Sequence, residues 1–391
     1  MLSDRRHALA ATIALLPLAL AACGESTSES ATERADSSGV ELVTHRGPDV
    51  PLEWQFEAAF SLGGKETDEE SFYRLDSDYV SVDAEQNIYV LDRTSNRVVV
   101  FDSSGTFVRT MGREGSGPGE MRFPFALGVS QSGVVSVFDI SKRGLVRFGP
   151  GGEPLDEIRI NFPYGGGLIV DRGESMIIPS QELDTEESTY TDELLSIAGN
   201  DTLRIVSHTR PAGGSITLES CGMSLAGIAP VFSPVMRWRP VDGGVVVATS
   251  SNYEVAFYQD DGIVRIIRRT IDPEPATREA AVEAIGDGMR VSFPGGVRVC
   301  DPEEVVEQRG LADVIPVIDE LAAGPQGSLW VKRSAGPTAS GPIDVFDANG
   351  TYHGTLPEGS PFPVAVIGDR IATIATDDSD VQRLVVYRVV R

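Results

Sequence analysis

The side chains that most often carry out catalysis are scattered in this sequence. Histidine occurs only four times, at His7, His45, His208 and His353. Their spacing offers neither a zinc set nor a His-based catalytic triad. Asp and Glu are abundant, with 58 residues against 33 Lys and Arg, so an acidic pair such as Asp377-Asp378 is uninformative. Oxygen ligands for calcium are available, but no convergent set can be named. We therefore assign no catalytic residue and predict no metal site, and an enzyme is the less favoured class.

Several basic residues lie close together in a chain that is otherwise strongly acidic. The formal net charge is −25, yet five cationic residues lie close together along the sequence: Arg93, Arg97, Arg113, Lys142 and Arg143. Such a group could attract an anionic ligand, although a structural hydrogen bond is the favoured role for each. Trp238 either stacks on a ligand or, as we favour, fills space between strands. These six are the candidate ligand-binding residues.

The first 23 residues read as an export signal. Arg5 and Arg6 precede an apolar run from Ala8 to Ala22, which is short for a membrane span. The run ends in Leu20-Ala21-Ala22-Cys23-Gly24, which resembles the lipobox of bacterial lipoproteins. The resemblance implies that residues 1–22 are a signal peptide and that Cys23 carries a lipid. It also implies a place in the cell envelope, outside the cytoplasm, with the outer membrane favoured where one is present. An ordinary secretory signal with an incidental Cys23 is the alternative.

Residues 23–50 are predicted to be a tether. The part from Glu25 to Gly39 is almost entirely polar or alanine and has little to bury. Beyond Cys23, only Cys221 and Cys300 remain. In an oxidising compartment two such thiols tend to pair. We therefore predict a disulfide between them, with two unpaired buried cysteines as the alternative.

Turns that contain glycine recur between alternating strands and imply a repeat. One class closes hairpins, as in Asp102-Ser-Ser-Gly105 and Gly149-Pro-Gly-Gly152. A second class lies one strand earlier, as in Ser130-Gln-Ser-Gly133. Four strands per unit, with 47 residues from Gly105 to Gly152, match the blade of a β-propeller.

The stretch from Val82 to Gly112 closely resembles an NHL repeat, and Gly115–Glu120 resembles the loop that joins two such repeats. Residues 126–160 are a weaker copy, and later units keep only the turns. The resemblance and the periodicity imply an all-β, six-bladed β-propeller over residues 51–391. The last unit has room for three strands, so Trp54–Leu62 is predicted to supply the fourth and close the ring. A five- or seven-bladed ring and an open solenoid are the alternatives.

Long segments are predicted to gather on one rim of the ring. Within a blade, the turns between strands 1 and 2 and between strands 3 and 4 share one rim, while the 2–3 loops and the connectors between blades share the other. The long segments all belong to the second rim: 112–124, 179–193, 207–231, 270–316 and 332–341. Repeat proteins commonly bind ligands on such a face.

The longest of these segments, residues 270–316, is predicted to be a lid-like insertion between blades 4 and 5. A helix is predicted over Pro275–Ile285, with Ala281, Ala284 and Ile285 on one side. A second is predicted to begin at Asp301 as N-cap, with Pro302 at its first position. The Cys221–Cys300 disulfide would staple the insertion to the preceding connector.

Together these features favour a lipid-anchored binding module outside the cytoplasm. Its long-loop face would take a small molecule, glycan, peptide or protein, and its lipid would partner the membrane. The negative charge and the lack of a basic run argue against nucleic acid. No cofactor is predicted. The alternative is a propeller hydrolase or lyase, similar to calcium-dependent propeller lactonases, that uses the same central funnel.

Overall fold

The structure is a computed structural model that describes residues 31–63, 72, 75–259, 262–293, 296–336, 340–376 and 381–391. In these residues the strands form six four-stranded units arranged as a ring, so the predicted six-bladed β-propeller is confirmed. The predicted signal peptide, residues 1–22, and Cys23 lie outside the described residues.

The N-terminal part of the chain supplies three strands that precede blade 1. They are β1 (Ala31–Ser37), β2 (Val40–Arg46) and β3 (Gln55–Leu62). Blade 1 follows a 3-10 turn at Ser77–Tyr79 and contains β4 (Val80–Val82), β5 (Ile88–Asp92), β6 (Arg97–Phe101) and β7 (Phe107–Met111). The connector to blade 2 carries a short parallel pair, β8 (Arg113–Glu114) and β9 (Glu120–Met121).

Blades 2 and 3 continue the same up-and-down pattern. Blade 2 contains β10 (Pro124–Val129), β11 (Val135–Asp139), β12 (Gly144–Phe148) and β13 (Pro154–Arg159). Blade 3 contains β14 (Val170–Asp171), β15 (Met176–Asp184), β16 (Thr189–Ala198) and β17 (Asp201–Pro211). The next connector carries a small hairpin, β18 (Ile216–Leu218) and β19 (Met223–Leu225).

The last three blades include the insertion. Blade 4 contains β20 (Arg237–Val241), β21 (Gly244–Ala248), β22 (Glu254–Gln259) and β23 (Gly262–Arg269). The insertion holds α1 (Arg278–Ile285), β24 (Met289–Phe293), β25 (Gly296–Cys300) and α2 (Pro302–Arg309). Blade 5 contains β26 (Ile318–Ala323), β27 (Leu329–Ser334), β28 (Ser340–Phe346) and β29 (Tyr352–Leu356). Blade 6 contains β30 (Ala365–Ile367), β31 (Arg370–Thr376) and β32 (Gln382–Val390).

Both ends of the chain close the ring, as predicted. β3 pairs antiparallel with β32, from Gln55 opposite Val390 to Leu62 opposite Leu384, and becomes the outermost strand of blade 6. An N-terminal strand thereby covers the edge that β32 would otherwise expose.

Blades pack face to face because their strands bury both faces. Every residue of β5, β11 and β21 is buried, which explains their continuous apolar runs. Alternate side chains point to opposite neighbours, and an apolar cluster lies at each junction between successive blades, including that of blade 6 with blade 1.

The predicted tether, residues 23–50, is corrected by the structure over its described part. β1 and β2 form a hairpin, and β2 adds in parallel to β23, so that blade 4 becomes a six-stranded sheet. The segment is polar because β1 is an exposed outer strand. The hairpin is held in place by residues far along the chain. Val43 and His45 are buried in the sheet, and Glu41 binds Arg265, with Nε and Oε2 2.7 Å apart.

Blade 3 also differs from expectation. The segment 179–193, predicted to be a long loop, extends β15 and β16 by regular pairing as far as Asp184 opposite Thr189. Asp192 on β16 stabilises the extension, because its carboxylate accepts hydrogen bonds from Gln181 Nε2 on β15 and Arg210 Nε on β17, each at 2.6 Å. Blade 3 therefore projects beyond the rim as a ribbon.

The insertion has its own small core on the long-loop rim. α2 begins as predicted, with Asp301 accepting from the amide of Glu304 at 3.0 Å and Pro302 at the first helical position. α1 starts at Arg278, after Thr277 as N-cap, and ends at Ile285. The predicted disulfide joins Cys221 to Cys300 and lies within the apolar cluster that binds the insertion to the β18–β19 connector.

One detail of the predicted helical stripe is wrong. Ala281 is buried and Ile285 is half-buried, whereas Ala284 is exposed. The helix packs through Ala281 against Val231 and Val306, and at its position Ala284 does not reach that cluster.

Candidate functional site: the central channel and its mouth

A channel runs along the axis of the propeller, with a volume of about 760 Å3. It is lined by the innermost strands of the blades and by their first turns, so it spans both rims. Near the long-loop rim the wall includes Ser77, Val80 and Arg239, and near the other rim it includes Gln86, Gln131 and Gln326. Polar groups on apolar walls are the usual composition of a small-ligand site.

Two opposite blades meet at the long-loop end of this channel. Ser77 lies in the 3-10 turn before β4 of blade 1, and Arg239 lies on β20 of blade 4. Blades 1 and 4 face each other across a six-membered ring. Arg239 Nη2 donates to Ser77 Oγ at 2.9 Å, and Nη1 donates to the carbonyl of Trp238 at 3.0 Å. The guanidinium therefore bridges the channel at its mouth. Over the described chain, it forms no ion pair with a carboxylate.

Asp78 is the perturbed acid at the mouth. Burial raises its pKa above the usual value, the nearby Arg239 opposes this effect, and the charges of Asp76 and Glu320 reinforce it. The turn that carries it is set by Asp76, whose carboxylate accepts from the Asp78 amide at 3.3 Å. A buried acid with a raised pKa beside a cationic side chain in a cleft is a candidate for function.

A second cavity adjoins the mouth between blades 4 and 5, with a volume of about 550 Å3. Ile315 and Pro316, at the end of the insertion, contribute to its wall. Lys332 lies in it and contacts Glu320 at 2.7 Å and Asp319 at 3.3 Å. The insertion thus borders this groove, and none of its described residues lines the axial channel.

The candidate Arg93 lies in a different cavity, of about 680 Å3, near the connector between blades 1 and 2. Its Nε donates to the carbonyl of Pro124 at 2.8 Å, and its Nη1 donates to the hydroxyl of Tyr79 at 2.6 Å. The guanidinium also lies 4.7 Å from the ring centre of Phe125. Arg93 is therefore well held by protein groups.

The other predicted cations each have protein partners or stand apart. Arg97 pairs with Asp92, with Nε and Oδ2 3.2 Å apart, and Arg113 pairs with Glu120 at 2.8 Å. Lys142 contacts Glu157 and donates to the carbonyl of Gly117 at 2.9 Å. Arg143 is exposed beside Arg159 in a cavity of about 490 Å3. The five predicted cations do not converge on one site.

Trp238 is 7% exposed and packs between blades 3 and 4, as the space-filling alternative predicted. Sequence reasoning missed its neighbour Arg239, together with Ser77 and Asp78. The sequence signal was weak, because Arg239 shares its strand with another arginine, Arg237. The pairing of residues 77 and 239 depends on ring geometry and leaves no local pattern.

Among the described residues, no group of three or more His, Cys, Asp or Glu side chains is placed to hold a metal ion. None of the described helices has the length and apolar character needed to cross a membrane.

Comparison with known proteins supports the fold. The DUF5128 family, described as a 6-bladed beta-propeller, matches residues 78–174, which cover blades 1 and 2 and the start of blade 3. No curated protein sequence is significantly similar to the chain.

Among solved structures, one from Bacteroides fragilis described as an exported protein is similar with a TM-score of 0.54, 14% identity and coverage of 90% of this chain and 100% of that one. A DUF4221 family member from Bacteroides vulgatus has a TM-score of 0.49 and 9% identity, over 87% and 99% of the two chains. A gluconolactonase from Xanthomonas campestris has a TM-score of 0.37 and 13% identity, over 88% and 98%. At these identities the similarity concerns the fold alone, and the chain is a six-bladed β-propeller.

Proposed function

We propose that this protein is a binding module that takes a small anionic ligand at the long-loop end of its central channel. The observation that carries the proposal is the position of Arg239, which crosses the channel mouth and whose hydrogen bonds to described residues go to two neutral oxygens. A carboxylate or phosphate group that replaced Ser77 would gain a charge-assisted, bidentate hydrogen bond. Asp78 would donate to the same anion when it is protonated.

The ligand class follows from the charges around the mouth. The protein as a whole repels anions, with a net charge of −25, so a binding site for an anion needs a local cation held in place. Arg239 supplies this cation and is held by Ser77 and the carbonyl of Trp238, whereas Lys332 on the neighbouring blade is already paired with Glu320 and Asp319. The channel excludes large polymers by its volume of about 760 Å3. Small sugar acids and other organic acids fit these limits better than polyanions.

The test is a thermal-shift titration of the full chain with citrate, glucuronate and inorganic phosphate, and with glucose as a neutral comparison. A ligand that binds only the folded state raises the melting temperature. We expect at least one anion to do so for the native protein and for Arg237→Met, the matched control on the same strand. The shift should be lost in Arg239→Met. An equal shift in Arg239→Met, or no shift with any of the three anions, would overturn the proposal.

A pH series sharpens the test. Because the pKa of Asp78 is raised by burial, lowering the pH protonates it first and removes a negative charge from the mouth. Anion binding should therefore tighten as the pH falls. Asp78→Asn should bind at neutral pH as the native protein does at lower pH, and should lose that part of the pH dependence.

The proposal also includes the cellular setting. The lipobox-like sequence at Cys23 supports lipidation and a place in the bacterial envelope, and the description of the Bacteroides fragilis protein as exported agrees with an extracytoplasmic location. We assign blades 1 and 2 to the NHL-repeat type on their sequence. Cys23→Ser should move the protein from the membrane fraction to the soluble fraction, and retention of the variant on membranes would contradict the anchor.

A lactonase-like hydrolase or lyase is the second candidate. It is favoured by the position of Asp78 near Arg239 at the channel mouth and by the raised pKa of its carboxyl, since a raised pKa suits a general acid. The described residues do not form a three-carboxylate calcium site, so no step through calcium is derived. A calcium-dependent rise in melting temperature that a chelator reverses, together with hydrolysis of a sugar lactone, would favour this alternative over the binding module.

A further inference from the structure

The N-terminal chain joins the ring at the long-loop rim. β1 begins at Ala31, which pairs with Arg46 at the end of β2. β2 runs parallel to β23, with His45 opposite Arg269, the last residue before the insertion. The amide of Thr270 then donates to the carbonyl of His45 at 3.3 Å. Ala31 therefore lies on the same rim as the start of the insertion.

We propose that the long-loop face is the membrane-facing side of the propeller and that the insertion hairpin β24–β25 contacts the lipid surface. This proposal rests on the lipidation of Cys23 proposed above. Seven residues, 24–30, separate Cys23 from Ala31. Fully extended, such a spacer spans about 25 Å. β1 is also seven residues long, and it starts at the long-loop rim. If the opposite rim faced the membrane, the spacer would need its full length merely to pass from one end of β1 to the other, and it could not reach the bilayer.

The hairpin presents an inverted surface pattern. On β25, Val297 and Val299 are 60% and 45% exposed. Arg298, which points to the other side, donates from Nη1 to the carbonyl of Cys221 at 3.1 Å. On β24, Met289 packs onto the cluster around the disulfide. The outward face of the hairpin thus presents two exposed valines together with the exposed Arg290, which lies opposite Val299. Apolar side chains beside a long basic one suit the boundary between lipid headgroups and acyl chains.

The most exposed apolar side chains lie on this rim. Among the described residues nine large apolar side chains are exposed: Phe123, Ile140, Leu183, Val297 and Val299 lie toward the long-loop rim, and Val108, Leu203, Ile263 and Val390 toward the other. The two most exposed, Phe123 at 63% and Val297 at 60%, are both on the long-loop rim. Phe123 and Ile140 are neighbours, because the amide of Ile140 donates to the carbonyl of Phe123 at 3.0 Å. Apolar side chains at the headgroup boundary stabilise interfacial binding.

The partner is a zwitterionic lipid surface rather than an anionic one. The net charge of −25 makes close approach to anionic headgroups unfavourable, whereas burying apolar side chains does not depend on headgroup charge. The orientation would bring the channel mouth and Arg239 close to the bilayer, so that ligands from the membrane surface have the shortest path to the site.

The experiment measures how far each rim lies from the lipid. The full-length acylated protein is reconstituted in phosphatidylcholine vesicles that contain nitroxide-headgroup lipids. A fluorophore is placed, through a non-native keto amino acid, at the position of Val297 or, as the matched control, at that of Asn200. Asn200 is exposed in the turn between β16 and β17 on the opposite rim. We expect quenching at position 297 to be at least about twofold stronger than at position 200, since nitroxide quenching is short-ranged and the strands are several residues long.

Equal quenching at the two positions, or stronger quenching at position 200, would overturn the orientation while leaving the lipid anchor intact. Failure of the acylated protein to float with the vesicles would instead overturn the anchor and the orientation together. A variant with thirty Gly and Ser residues added after Ser30 should float but lose most of the difference between the two positions. If the difference persisted in that variant, the short spacer would not be its cause.

Discussion

The turns of blades 1 and 2 are set by hydrogen bonds between residues close in sequence, whereas blades 4 and 5 are joined to each other by buried charged groups from distant parts of the chain. In blade 1, Asp102 accepts from the amides of Ser104 and Thr106, each at 2.9 Å, and Gly105 closes the turn with φ 85°. In blades 4 and 5, Arg269 binds Asp344 and Asp49, and the imidazole of His45 lies 2.9 Å from the carbonyl of Gly350, 305 residues away. One architecture is thus stabilised in two ways.

The difference explains where the repeat can be recognised. The family match covers residues 78–174, where local turns occur without the buried charge network. In blade 5 the same turn, in which Asp347 accepts from the amides of Asn349 and Thr351, is combined with that network. Contacts of short range recur at a fixed spacing and leave a motif in each repeat. Contacts between distant segments occur once and leave none.

Asp344→Ala should have the largest effect on stability. The carboxylate is fully buried and accepts from Arg269 Nη1 at 2.8 Å and from Thr355 Oγ1 at 2.6 Å. Its loss leaves the buried Arg269 guanidinium with one partly exposed partner, Asp49, and breaking such a pair costs about 3–5 kcal/mol. The free energy of unfolding from urea titration measures this.

The matched control is Glu254→Ala, which breaks the exposed pair with Arg268 and should cost less than about 1 kcal/mol. If Asp344→Ala cost no more than Glu254→Ala, the distant network would not be what stabilises blades 4 and 5.

Asp83→Ala tests the local side of the comparison. Its carboxylate accepts from the amide and the side chain of Asn87 and from the hydroxyl of Tyr89, each at 2.9 Å. Removing it leaves the buried Tyr89 hydroxyl unpaired, which costs about 1–3 kcal/mol. The same urea titration applies, and Asp83→Ala combined with Tyr89→Phe should cost less than the sum of the two single changes. A cost above that of Asp344→Ala would reverse the comparison.

Cys300→Ser should loosen the insertion without unfolding the ring. The disulfide closes a loop with a sequence separation of 79, which would be worth about 4–5 kcal/mol if ring and insertion unfolded together. Because the bridge lies in the separate cluster of the insertion, we expect faster proteolysis of residues 270–316 and little change in the main melting transition. Loss of cooperative melting of the whole chain would contradict this.

A pH effect at His45 is the smallest change we expect. Burial lowers the pKa of His45 below its usual 6.5, and the charges of Arg269 and Arg34 add to this, against the Gly350 carbonyl and Asp347, which raise it. The unfolded chain therefore binds the proton more readily, and stability is lost as the pH falls below 6.5. Urea midpoints at pH 7.5 and 5.5 should differ less in His45→Gln than in the native protein. The exposed control His353→Gln should keep the native difference, and a loss of it there would contradict the assignment to His45.

Much of the ring was predictable because its signals are local. Alternation predicted the strands, the turn from Asp102 to Gly105 predicted a hairpin, and the N-cap at Asp301 predicted the start of α2. The short final unit predicted its completion by Trp54–Leu62, since a sheet edge needs a partner. The hairpin β1–β2 could not be predicted, because the sequence of an exposed polar strand resembles that of a tether. The partners that hold the hairpin in place, among them Arg265 and Gly350, lie two to three hundred positions away.

The sequence alone indicated that this chain forms radial β-sheets, favoured six of them over five or seven, and placed its long segments on one rim, because strand periodicity and turn chemistry act over a few residues. Only the tertiary structure decided that Arg239 meets Ser77, that Asp344 has buried partners, and that Ala31 emerges beside the insertion. Each of these depends on closing the ring, which brings together residues whose distance along the chain carries no pattern.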